Sequence, residues 1–548
     1  MINAQQSLAH LKLHSEKESH ENPDFESPEN DIRPLNDCNQ KDIEESGSEI
    51  PKTLPESTLT NPIQQNDPTV LQLQEEEPLE EDGKPPIEES LEPLPAVYSE
   101  RLWRDWEDLF DYNTTFEKHF NFSVLSYNIL CQDLIEQTPA LYQHCDPSIL
   151  SWDYRWPYIL QELQHWEADI ICLQEVQQDH YIEQVLPSLS AMGYSCHYKC
   201  RTGRKTDGCC TCYKTLRFTL LAYSHIEFFR PCFDILNRDN VGQILLLKPL
   251  LPPEMPHKLR PSSLCVANTH LLYNPRRGDI KLAQLGLFLA EIERFSKNIN
   301  GSHCPIILCG DLNATPDSPL YNFLCTGHLN YKDLPAGMVS GQERYRASNL
   351  RTLPPLLWPD CLGITDNCQY ITLKKPKETD IRVYSRQQLL QLRYCDCCIQ
   401  RPPDLPLIKG VTDNVPDVLA KPALPTEPKV FLEFHNAFCR SPFLLRHNLN
   451  LTSVYSHYLP RKHCAEVTVL PLGIGSTVDY IFYSPETLTN ASKQCGMPVY
   501  QDGHLKLLGR LSLLSEYDLR ASGGLPNPFC CSDHLSLLAQ FSMELSAL

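Results

Sequence analysis

Short apolar runs that end in a polar or charged residue recur along this chain. The run Phe122-Ser123-Val124-Leu125-Ser126-Tyr127 alternates and predicts a strand that delivers Asn128 at its end. After Ser151, Ile159, Leu163 and Trp166 fall on one face with Gln161, Glu162 and Gln164 between them, which predicts a helix packed on the core. A second strand, Asp169 to Leu173, leads to Gln174 and Glu175. Further strands are predicted at Phe218 to Tyr223, Val241 to Leu247, Leu264 to Asn268 and Pro305 to Cys309, with an amphipathic helix from about Lys281 to Phe295. Beyond a gap, strand patterns return at Leu451 to Tyr458, Val478 to Tyr483, Leu505 to Leu511 and Leu535 to Phe541. Strands and helices in alternation argue for an α/β sandwich.

Two segments break this rhythm. Residues 1–97 hold 23 Asp and Glu against 6 Lys and Arg and show no sustained apolar period, so they are expected to form a disordered acidic tail. The other 451 residues carry only -4 of the net charge of -21, and the overall acidity therefore does not argue against a polyanionic substrate. Between about 340 and 450, Pro402, Pro403, Pro406, Pro416, Pro422, Pro425 and Pro428 punctuate a stretch without motifs, read as a Pro-rich insertion with mobile parts. The expected organisation is one catalytic domain over 98–548, interrupted by that insertion.

The start Met1-Ile2-Asn3-Ala4 lacks a charged and then apolar leader, and no apolar run reaches the length of a membrane span. Of 24 cysteines all but Cys38 lie beyond the tail, many inside strand-like runs, which reads as reduced, packed thiols of a cytosolic protein. The clusters Cys209-Cys210-Thr211-Cys212 and Cys395-Asp396-Cys397-Cys398 have no second pair at finger or ribbon spacing and are read as buried thiols rather than a zinc site.

The candidate chemistry lies in Ser126-Tyr127-Asn128, Leu173-Gln174-Glu175, Asn268-Thr269-His270, Gly310-Asp311-Leu312-Asn313, Thr477-Val478-Asp479-Tyr480 and Ser532-Asp533-His534. Mg²⁺ takes one or two carboxylates together with water and phosphate oxygens, so Glu175 with Asn128, supported by Asp533, is the expected holder. Asp311 is expected to orient or deprotonate water while the Asn313 amide donates to it or to a phosphoryl oxygen. Asp479 against the His534 ring would favour the imidazolium, and His270 offers a second imidazole for the phosphate. Taken singly, Gly-Asp-x-Asn is an ordinary turn and Asp-His ordinary surface; their occurrence together and in order points to a phosphoesterase site.

This constellation resembles the endonuclease/exonuclease/phosphatase superfamily and, within it, the family of the carbon catabolite repressor deadenylases and nocturin. Asp207-Gly208-Cys209, Asn237-Arg238-Asp239-Asn240-Val241, Asn274-Pro275-Arg276-Arg277-Gly278-Asp279 and Ser453-Val454-Tyr455-Ser456-His457-Tyr458 are similar to its Angel branch. The resemblance covers nearly all of Phe122 to Phe541 except the insertion. It implies a DNase I-like four-layer α/β sandwich, two packed mixed β-sheets flanked by helices. It also implies Mg²⁺ at Glu175, catalytic roles for Asp311, Asn313, Asp479, Asp533 and His534, and substrate contacts from Asn128, Asn240 and His270. Where many relatives read Gly-Asp-Phe-Asn-Ser, this chain reads Gly310-Asp311-Leu312-Asn313-Ala314, which keeps the acid and the amide.

The expected substrate is an RNA 3′ end. The Angel branch is associated with 2′,3′-cyclic phosphate hydrolysis and the deadenylases with 3′-to-5′ shortening, and these residues do not separate the two. Arg276 and Arg277 read equally as phosphate contacts or as a solvated pair. In the insertion, Tyr384 followed by Leu389-Leu390 fits the pattern by which short helices dock on the translation-initiation cap-binding protein, the alternative being an ordinary packed helix. An adaptor with a vestigial site is the competing class of function. No DNA partner is expected, and the expected location is the cytoplasm, with perinuclear or endoplasmic-reticulum association as the alternative.

Overall fold

The computed structural model describes residues 104–109, 118–231, 233–252, 259–298, 300–343, 351–371, 440–487, 500–501 and 503–547. The acidic segment 1–97 and the motif residues Tyr384, Leu389 and Leu390 lie outside the described residues, as do Cys395, Cys397 and Cys398.

Along the chain run β1 (Trp106–Asp108), β2 (His119–Asn128), α1 (Trp152–Trp166), β3 (Ile170–Gln177), β4 (Tyr194–Cys200), β5 (Asp207–Lys214), β6 (Phe218–Glu227), β7 (Val241–Pro249), β8 (Leu259–Pro261), β9 (Leu264–His270), α2 (Gly278–Ser296), β10 (Ile306–Asp311), α3 (Pro319–Thr326), β11 (Thr452–Ser453), β12 (Asp479–Tyr483), β13 (Leu505–Leu511) and β14 (Leu537–Ala547). One sheet has the order β1-β13-β14-β2-β3-β5-β4, with β8 paired to β14, and the other β11-β12-β10-β9-β7-β6. Each sheet has one parallel pair, β2 with β3 and β9 with β10, and each pair is joined through a helix, α1 or α2.

The sheets face one another across Phe122, Val124, Ile170, Cys172, Val266, Ile307, Cys309 and Ile481, all at most 1 % exposed. On the outer face of the first sheet Leu125, Ile171 and Leu173 meet Ile159 and Leu163 of α1. On the outer face of the second, Ile244, Cys265, Ala267 and Leu308 meet α2. Helix, sheet, sheet and helix thus form the four-layer α/β sandwich expected from the sequence. A polar seam crosses the sheet interface near one end: Gln174 Nε2 donates to Asn268 Oδ1 at 2.8 Å and Thr211 Oγ1 to Gln243 Oε1 at 2.9 Å. These bonds fix how the sheets align, although Gln174 Oε1 is left buried without a partner.

Three expectations need correction. The helix expected to be amphipathic is buried on every side over Gly278–Glu293, because residues 334–342 and 351–371 cover its outer face. Trp358 lies so close that a Cβ on Gly286 would meet its ring at 2.6 Å, so the glycine is what lets the indole lie on the helix. The strand expected over Leu451 to Tyr458 is broken into Thr452–Ser453 and a separate Tyr458–Leu459, since Tyr455 turns inward, its hydroxyl donating to Leu511 O at 2.9 Å, and His457 takes φ 62°. The hairpin of β4 and β5 was not foreseen; Cys209, Cys210 and Cys212 lie in β5 as buried free thiols. Among the described residues, no helix is long and apolar enough to cross a membrane.

Candidate active site

The two parallel pairs end at one rim. Asp311 at the end of β10 stands opposite His270 at the end of β9 on one side and Asp479 at the start of β12 on the other. Asn128 ends β2 in the facing sheet. Gly310 makes the β9–β10 approach possible: with φ 138° any Cβ there would lie 1.9 Å from Thr269 O. Glu175 is aimed by a different device. The β3–β5 ladder slips between Leu173 and Val176, and Glu175 takes φ 56°, a bulge that turns its carboxylate toward the rim.

Asn128 is the hub. Its Nδ2 lies 3.2 Å from Glu175 Oε1, 3.3 Å from Asp311 Oδ2 and 3.4 Å from His534 Nε2, while its Oδ1 accepts from Leu130 N at 3.1 Å. The amide is therefore placed as a donor to the carboxylates, with its oxygen committed to the backbone. These contacts place the Asn128 amide nitrogen as a hydrogen-bond donor beside Glu175, the other residue expected to hold the cation.

Asp479 Oδ2 lies 2.8 Å from His534 Nδ1, and His534 Nε2 points at Asp311 Oδ2, 3.9 Å away, and at Asp533 Oδ1, 3.8 Å away. Burial opposes a charged ring, yet Asp479, Asp533 and Asp311 outweigh it and hold His534 well above its usual range. Ser532 Oγ donates to Asn128 O at 2.6 Å and so docks the Ser532-Asp533-His534 segment on β2. His270 is the opposite case: burial and then Arg201 lower it to about 3, giving a neutral imidazole. Its Nε2 lies 3.1 Å from Asn313 Nδ2, and its Nδ1 is buried without a partner. Asn313, at φ 48°, also donates from Nδ2 to Leu271 O at 3.1 Å.

The carboxylates are crowded and short of cations. Burial and then Asp479 push Asp311 up to about 8. Burial and Asp207 raise Glu175, and burial, against the pull of His534, raises Asp533. Asp479 Oδ1 and Asp533 Oδ1 are buried without hydrogen-bond partners. Side-chain atoms of Asp311, Asp479 and His534 lie within 4.8 Å of one another, and with the His534 ring charged the two carboxylates are the cation-binding members of that trio. Acids raised by burial and then by neighbouring carboxylates, among buried oxygens left unpartnered, fit a divalent cation, which would satisfy both at once.

Asn240 sits behind the rim rather than on it. Its amide donates to His270 O at 3.1 Å and accepts from Gln284 Nε2 at 3.1 Å, so its observed contacts hold the His270 backbone. Arg277 is committed to Asp279 through two bonds of 2.9 and 3.0 Å, and Arg276 lies 3.7 Å from Glu343.

Two residues escaped the sequence reading. Lys281 is fully buried and its Nζ donates to Asn313 O at 2.8 Å, Ser340 Oγ at 3.3 Å and Gln342 Oε1 at 2.6 Å. Burial lowers it to about 7, and its bonds pin the Asn313 turn. Tyr142 donates to Asp533 Oδ2 at 3.0 Å from a segment with no motif.

Residues 125–534 match the model of the endonuclease/exonuclease/phosphatase family. The chain belongs to that family. It is 51% identical over 512 residues to human protein angel homolog 1, spanning 90% of this chain and 76% of that protein. Human protein angel homolog 2 is 46% identical over 432 residues, or 78% of this chain and 70% of that one. Among solved structures, that of ANGEL2, a 2′,3′-cyclic phosphatase, in complex with adenosine-2′,3′-vanadate superposes with a TM-score of 0.61 at 42% identity, over 81% of this chain and 99% of the other. The chain is a phosphoesterase of the Angel group.

Proposed function

We propose that this chain is a Mg²⁺-dependent phosphohydrolase that removes 2′,3′-cyclic phosphate from RNA 3′ ends. The observation that carries the reading is the Asp479–His534 pair, a charged imidazole facing Asp311 across 3.9 Å beside Glu175, in a chain 42% identical to a 2′,3′-cyclic phosphatase. Glu175 and Asp533 would hold the cation, which would supply charge neutralisation at the phosphoryl oxygens. In its ionised form Asp311 accepts the proton of the attacking water, and a carboxyl held above its ordinary range is the stronger base. His534, as the imidazolium, donates toward the oxygen on which negative charge develops, and Asp479 keeps its ring charged and oriented. The unpartnered Nδ1 of the neutral His270 supplies a further donor, while the Asn313 amide holds the His270 ring through Nε2.

The reading is tested by incubating an RNA oligomer ending in 2′,3′-cyclic phosphate with the protein in Mg²⁺ and in chelator. Loss of the cyclic end only with Mg²⁺ is expected; equal loss in chelator would overturn the cation's part. On sequence alone, Tyr384, Leu389 and Leu390 are proposed to dock a cytoplasmic translation-initiation cap-binding protein. A pull-down with Tyr384→Ala/Leu389→Ala that retains the partner would refute this second reading.

A further inference from the structure

The rim on the Glu175 side carries cations that the proposed chemistry leaves unused. The loop from β4 to β5 brings Arg201, Arg204 and Lys205 beside Asp207, whose partner across the sheet is Gln177, two residues past Glu175. The acids of this rim are already engaged. Asp207 accepts from Arg201 Nε at 3.0 Å, Asp239 from Thr202 Oγ1 at 2.6 Å, and Asp133 from Thr206 Oγ1 at 2.6 Å. The Thr202 contacts, which include its N–H on Asp239 O at 3.2 Å, also fasten the loop to the 237–240 turn that carries Arg238.

Among the described residues, no carboxylate lies within ion-pair range of Arg204, Lys205 or Arg238. Arg204 and Lys205 are exposed and Arg238 is partly so. Arg204 and Lys205 line a cavity together with Leu134, Gln137, Thr206 and the engaged carboxylates Asp207 and Asp239. The opposite rim differs, since Arg277 is bound to Asp279 and Arg276 faces Glu343. Cations without carboxylate partners on hydrogen-bonded loops are suited to backbone phosphates, which such residues position without reading sequence.

We propose that the RNA strand 5′ of the reacting phosphate leaves the site along this rim, its backbone phosphates against Arg204, Lys205 and Arg238. The inference rests on the reading of RNA ends as substrate. It is tested with a mononucleoside 2′,3′-cyclic phosphate and an RNA decamer ending in the same group, each with the parent, Arg204→Gln/Lys205→Gln/Arg238→Gln, and Arg276→Gln. The triple variant should lose about tenfold in kcat/KM on the decamer, and its log–log salt slope should shrink by about 2, from roughly 0.7 per single-strand phosphate contact. Its activity on the mononucleoside, and both activities of Arg276→Gln, should match the parent. A triple variant that keeps the parent's decamer-to-mononucleoside ratio and salt slope would overturn the inference, as would Arg276→Gln reproducing the loss. A parent inert on both substrates would instead remove the underlying reading, and the inference with it.

Discussion

Asp311→Asn should make the metal-free protein more stable while disabling it. The Asp311 carboxyl is pushed from its ordinary 3.8 to about 8 by burial and then by Asp479. At 1.36 kcal/mol per pH unit this amounts to a cost on the order of 6 kcal/mol once the group is ionised. The sign follows from proton binding. Between pH 4 and 8 the folded state retains a proton that the unfolded state has released, so stability falls as pH rises through that window and levels off above 8. Glu175 and Asp533, also raised, act in the same direction. Asparagine keeps the acceptor for Asn313 N, 2.9 Å away, and removes the charge. Thermal melting in chelator at pH 6 and pH 8 measures the effect. The parent should melt lower at pH 8 than at pH 6, the variant should melt several degrees above it at pH 8, and Mg²⁺ should narrow the gap by stabilising the parent. Turnover of the variant should fall about a hundredfold to ten-thousandfold. If parent and variant melt together in chelator at pH 8 with the same pH dependence, the account of a cation-seeking carboxylate cluster is wrong.

Asp479→Asn removes the charge beside His534, so kcat/KM should fall about a hundredfold or more, and further at pH 8 than at pH 6, because the imidazolium is then lost earlier as pH rises; a pH profile parallel to the parent's would count against the pairing. Lys281→Met leaves Asn313 O and the side chains of Ser340 and Gln342 without their donor, and should cost about 3 kcal/mol in urea unfolding together with a lower kcat. A variant as stable and active as the parent would show that the clamp is idle. Gly310→Ala, which sets a Cβ 1.9 Å from Thr269 O, should lower the melting temperature more than any other change named here, and a normal melting curve would contradict the β9–β10 geometry.

The strand ends were legible because Asn128, His270 and Asp311 each follow an apolar run, and the ends of parallel neighbours such as β9 and β10 meet at one edge. Asp479 and His534 could be paired in advance for the same reason, since a buried imidazole with one acidic neighbour needs a second to stay charged. What the pattern could not give was set by distant chain. Lys281 reads as one polar position on an amphipathic helix, and only the Ser340–Gln342 turn makes it a buried clamp. Asn128 carries the residue type of a ligand, and the contacts of its amide with Leu130 N and Glu175 come from chain outside its own motif. β4 was hidden because its burial is intermediate at six of seven positions, which blurs the alternation.

The most direct test sets RNA oligomers ending in 2′,3′-cyclic phosphate or in adenosine 3′-hydroxyls against the purified protein and its Glu175→Ala variant, with Mg²⁺. The account predicts loss of the cyclic phosphate without shortening by the parent and no change with the variant. A ladder of shortened products would contradict it in favour of an exonuclease, and equal activity in both proteins would contradict the site itself.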